Sequence, residues 1–85
     1  MIRREFVSHE TIDAFHFISE FLSNRRDYYF TKEEIYKEVP TDEHGLPLIT
    51  ISAIEKTLSH MAHYGDIEMY YVRGVRHFAH RDKQY

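Results

Sequence analysis

HMAHYGDIEMYYVRGVRHFAH, residues 60–80, begins and ends in His-x-x-His, and two readings compete to explain it. One is chemical: four imidazoles in a short span, as in a zinc site. The other is architectural: the end of a helix, a glycine stop and a tight hairpin. Periodicity separates them. After Gly65 the apolar period falls from 3.6 to 2, with Ile67, Met69 and Tyr71 alternating with Asp66, Glu68 and Tyr70. Gly65 stands where a left-handed helix terminator belongs. Arg73-Gly74 supplies the turn, and Gly74 the positive φ that a tight hairpin needs. Val75 to His80 return as the second strand, with Arg76, Phe78 and His80 on one face and Val75, His77 and Ala79 on the other. His60 and His63 lie three apart on a helix and can share a surface, as a metal pair would. His77 and His80 are three apart on a strand and point to opposite faces, so at most one can join the helical pair. Neither a metal nor a cofactor is expected.

Working back from the hairpin, the preceding helix starts at Thr50 or Ser52. Thr50 as cap gives the hydrophobic staple Ile49 and Ile54, whereas Ser52 gives a capping box with Glu55; Thr50 is preferred. Its inner face is Ile51, Ile54, Leu58, Met61 and Ala62. Before it, PTDEHGLPL (40–48) is a loop of turn formers. FTKEEI (30–35) is a strong helix start, with Thr31 as cap, Glu34 completing a capping box and Phe30 stapled to Ile35. That second helix is short, because Pro40 bars its continuation.

The first helix is expected from about 9 to 24, with Ser8 as cap and Val7 and Ile12 as staple. Ile12, Ala14, Phe15, Phe17, Ile18, Phe21 and Leu22 cover nearly half of its circumference, wider than a single core-facing stripe requires. Either the helix is deeply buried or part of the stripe pairs with a second copy, as small domains often do. NRRDYY then breaks the helical pattern, and YYF (28–30) forms a short extended segment.

Composition narrows the function. Eighty-five residues make one domain, 1–85, built from aromatics and aliphatics, with 7 Tyr and 6 Phe. There is no cysteine, hence no disulfide, thiolate metal site or cysteine nucleophile. The sequence holds neither a membrane span nor a signal peptide, so a cytoplasmic protein is expected. The net charge is −3, but residues 71–85 hold four basic groups against one acidic. An anionic partner would therefore meet the C-terminal third. No phosphate loop, nucleophile elbow or metalloprotease motif appears, and an enzyme is not expected.

The order helix, short strand, helix, helix, hairpin resembles the winged helix-turn-helix superfamily, an α+β fold of three helices with a C-terminal β-hairpin wing. The resemblance covers nearly the whole chain, and ITISAIEKTLSHMAHYGDIEMYYVRGVRHFAH (49–80) carries it through Thr50, Ile54, Leu58, Met61, Gly65, Ile67, Arg73-Gly74 and Phe78. It implies a sequence-specific, double-stranded-DNA-binding transcriptional regulator. Helix three would enter the major groove through Ser52, Ala53, Lys56, Thr57 and His60, while Arg73 and Arg76 of the wing touch phosphates. Arg81 and Lys83 lie just beyond. A homodimer through Phe15, Ile18 and Leu22 is the expected assembly. The acidic balance and the single firm cation on helix three motivate an alternative, a winged-helix module that binds protein within a transcription or replication complex.

Overall fold

Asp13 is a helix cap: its backbone is extended (φ −69°, ψ 119°) and its carboxylate accepts the Phe15 N–H at 3.0 Å. The computed structural model describes residues 13–82. Helix α1 runs Ala14–Ser23, so it starts after Asp13 rather than near residue 9. An aspartate that hydrogen-bonds its own following backbone favours a cap over a helix interior. The expected cap Ser8 and the staple Val7–Ile12 lie outside the described residues.

A turn over 24–27 leads to Phe30, which pairs with Phe78 through two backbone hydrogen bonds of 2.8 and 2.7 Å. The extended YYF segment is thus reduced to one bridged residue. Helix α2, Lys32–Lys37, begins with the expected capping box: Thr31 Oγ1 accepts the Glu34 N–H, and Glu34 Oε1 accepts the Thr31 N–H. The 40–48 loop is itself a small hairpin. The Leu48 N–H donates to the Pro40 carbonyl and the Asp42 N–H to that of Leu46, while Gly45 turns the chain at φ +80°. The Asp42 carboxylate accepts the Leu46 and His44 N–H groups, which hold its carboxyl below the ordinary value. The loop stabilisation this supplies is present above the usual carboxylate pKa and fades as pH falls through the lowered one.

Helix α3, Ile51–His63, is capped by Thr50, whose hydroxyl accepts the Ala53 N–H at 3.1 Å. It ends on Gly65 at φ +79°, with Asp66 N–H donating to Met61 O and Gly65 N–H to Ala62 O. Those two bonds satisfy carbonyls that the helix end would leave open. Strand β1, Ile67–Val72, starts two residues later and pairs antiparallel with β2, Val75–His80, in the register Ile67↔His80, Met69↔Phe78, Val72↔Val75. The architecture is α+β, three helices followed by a two-stranded antiparallel hairpin.

The core joins all five elements: Ile18, Phe21 and Leu22 of α1, Ile35 of α2, Ile54, Leu58 and Met61 of α3, and Ile67 and Phe78 of the hairpin. Each such side chain contributes about 1.5–3 kcal/mol of burial. Ile18 and Leu22 are 0% exposed within the single chain, so neither can face a second copy. Of the three residues expected at that interface, only Phe15 is exposed, at 43%. Of the apolar stripe on α1, Ile18, Phe21 and Leu22 are buried in the core, while Phe17 is half-buried and Phe15 exposed. Ile51, in the first turn of α3, extends past the core and is 40% exposed. Among the described residues, no helix is long and apolar enough to cross a membrane.

Candidate functional site

One surface is built by α3 and the hairpin together. The inward set Ile54, Leu58 and Met61 leaves Ser52, Lys56 and His60 exposed on the opposite side of α3. Ala53 and Thr57 are half-buried, Ala53 against the core, so two of the five expected helix contacts present little surface. The exposed stripe continues instead to His63, seven residues beyond Lys56, with half-buried Ser59 on the side towards the hairpin. That period of three to four was visible in the sequence and would have added both residues.

The hairpin is fastened to α3 by Arg76. Its guanidinium lies 3.4 Å from the Ser59 hydroxyl and 3.9 Å from Glu55, and Lys32 of α2 reaches the same carboxylate at 3.3 Å. Glu55 therefore ties three elements and offsets part of the positive charge they bring. Arg76 is half-buried in this arrangement and its charge is already answered. Arg73, by contrast, is exposed at the tip. Lys83 lies outside the described residues, and Arg81 turns back to donate to the Gly65 carbonyl at 3.2 Å.

Beyond Ile67 strand β1 leaves the core, while β2 stays in it as far as Phe78. Tyr70 and Tyr71 are both exposed. Met69, Val72 and Val75 are exposed too, so the tip carries more apolar surface than charge. Tyr70 packs edge-on against Tyr29, with ring centroids 5.2 Å apart, and donates its hydroxyl to Glu68 at 2.8 Å. That bond to a carboxylate pushes the Tyr70 phenol above its ordinary pKa.

The histidines disperse. His60 and His63 pack on either side of Tyr64, His77 binds the Val75 carbonyl, and His80 lies 3.3 Å from Asp82. No three potential metal ligands converge among the described residues.

Both turn residues have positive φ, Arg73 at 53° and Gly74 at 79°, as in a type I′ hairpin. Glycine adopts this at no steric cost; arginine does not. Arg73→Asn should therefore raise the unfolding free energy by about 0.5–1 kcal/mol, since asparagine tolerates the left-handed region. The same variant should bind an anionic ligand more weakly. Chemical denaturation and a binding titration on one preparation check both, and unchanged binding would make Arg73 a turn residue alone.

Comparisons with protein-family models, with curated proteins and with solved structures return no match for this chain.

Proposed function

We propose that this chain is a winged helix-turn-helix module that binds double-stranded DNA and regulates transcription in the cytoplasm as a homodimer. In this reading α3 enters the major groove and the hairpin tip lies along the phosphate backbone. The observation that carries it is the Arg76 link to Ser59 and Glu55, which holds the hairpin beside the exposed stripe of α3 so that both address one ligand. The bridge between Phe30 and β2, which adds a third extended segment to the hairpin, also suits that fold. Lys56 and His60 supply donors for base edges, with Ser52 beside them. Arg73 supplies a phosphate contact from a backbone conformation that arginine adopts only at a cost, a pattern in keeping with function at the tip.

The test is binding against salt concentration for a duplex selected from random fragments and for an unrelated duplex. Each phosphate neutralised contributes about −0.9 to the slope of log K on log salt. Arg73→Ala should flatten the slope by about one unit on both duplexes. Arg76→Ala should flatten it less, because Glu55 already answers that charge. A wild-type chain that binds neither duplex at low salt would rule the reading out.

One observation favours a second reading, the protein-binding module. The tip surrounds Arg73 with Met69, Tyr71, Val72 and Val75, an apolar and aromatic surface more typical of protein contacts than of phosphate contacts.

A further inference from the structure

The outer edge of β1 is an unpaired row of backbone groups, and its geometry is fixed by two independent observations. A two-residue turn closed by Val72↔Val75 points the backbone groups of Glu68, Tyr70 and Val72 towards β2, and those of Ile67, Met69 and Tyr71 away from it. Phe78, opposite Met69, uses its own outward groups to bind Phe30, which gives the same parity from the other strand. Among the described residues β1 has no partner but β2. The edge also lacks the usual protection: it has no proline and no lysine, and Glu68 is its one charge.

The geometry points to a second copy of this chain as the occupant, its β1 pairing antiparallel with the first about a two-fold axis through Tyr70. In that register Met69 bonds Tyr71 of the second copy, twice by symmetry, and the outward groups of both strands meet. Tyr70 stands opposite Tyr70 of the second copy as a non-hydrogen-bonded pair. Charge suits this register. Glu68 falls opposite Val72 of the second copy and next to its Arg73, so each end of the joint strand pair sets a carboxylate beside a guanidinium. Residues brought opposite each other share a face, which keeps both copies of α3 on one side of a continuous four-stranded sheet. The pairing holds whether or not DNA is the ligand, and it takes over the role first expected of Ile18 and Leu22.

The test uses the full chain. Sedimentation from about 1 to 100 μM should show a reversible dimer. Tyr71→Pro removes an outward N–H that the chain itself does not use, so it should keep the fold by circular dichroism and raise the dimer dissociation constant at least about tenfold. Glu68→Arg should weaken the dimer and the double variant Glu68→Arg/Arg73→Glu should restore it. Because the chain has no cysteine, Tyr70→Cys offers a single thiol at a position where opposed Cα atoms lie about 4.5 Å apart. It should form a covalent dimer under mild oxidation, while Val72→Cys, displaced from its own copy by about 13 Å along the strand, should not. A monomer at every concentration, an unimpaired dimer of Tyr71→Pro, or equal cross-linking at 70 and 72 would each overturn the proposal. In the first case, amide exchange at Met69 and Tyr71 distinguishes an edge closed by the chain itself, which is protected, from one left open for an extended segment of another protein.

Discussion

Phe78→Ala should cost about 3–5 kcal/mol of unfolding free energy, the largest single effect expected in this molecule. Domains of this size are stable by only about 5–15 kcal/mol, so the variant should be marginally folded at room temperature. Phe78 is 2% exposed and joins the hairpin to the core. Its backbone holds Phe30 through both of its polar groups, and on its own face it is opposite Met69, which is too exposed to take over its place. Removing the ring leaves a cavity beneath β2, which touches both α1 and α2, and the neighbouring side chains have little freedom to close it. Tyr71→Ala, on the same face but at the exposed tip, should change stability by less than about 0.5 kcal/mol. Urea denaturation of the two variants measures the contrast. A loss below about 1 kcal/mol for Phe78→Ala would mean that the hairpin unfolds independently of the helices.

Lys56→Ala should weaken binding to a preferred duplex by about 1–3 kcal/mol more than binding to a random one. Lys56 is exposed in the middle of α3, and among the described residues no carboxylate forms an ion pair with it. Its charge is therefore available to a ligand, unlike that of Lys32 or Arg76, which share Glu55. Stability should hardly change, because the side chain lies opposite Ile54, Leu58 and Met61. A base-edge contact separates the two duplexes; a phosphate contact weakens both alike and flattens the salt slope. Parallel titrations of the two duplexes with wild type and variant distinguish these outcomes. Equal losses on both would move Lys56 from the groove to the backbone, and no loss on either would favour a protein partner for this face.

The elements with local signals were legible in the sequence. Thr31 with Glu34, Thr50 ahead of the Ile54 to Met61 face, and Gly65 before an alternating strand each specify a boundary through hydrogen bonds made within a few residues. What escaped depended on distant parts of the chain. The periodicity of Ile18 and Leu22 records that they are apolar, not whether their cover comes from α3 or from another molecule. Asp13 lies inside the apolar stripe that begins at Ile12, and its role as a cap rests on its extended backbone, which the periodicity does not record. Ala53 and Thr57 were placed outward by an idealised opposition to Ile54, Leu58 and Met61, whereas neighbouring elements cover that flank. At the candidate site, Glu55 is adjacent to Lys56 in the sequence. That it answers Arg76 and Lys32 instead follows only once α2, α3 and β2 meet.

The stop at Gly65 has a mechanical consequence. Helix α3 ends and β1 begins within three residues, and the joint is pinned by the Asp66 bond to Met61 and the Arg81 bond to Gly65. The six-residue strand beyond it extends about 20 Å from that joint. Phe78, buried and bonded to Phe30, anchors it opposite Met69, so the free arm is the outer part, about 13 Å from Met69 to Arg73. A tilt of about 10° there displaces the turn by about 2.3 Å, close to the reach of a hydrogen bond. Glu55 and Ser59, gripping Arg76 partway along, act as a stay that limits this swing. Loosening that stay should broaden the range of ligand widths the molecule can span.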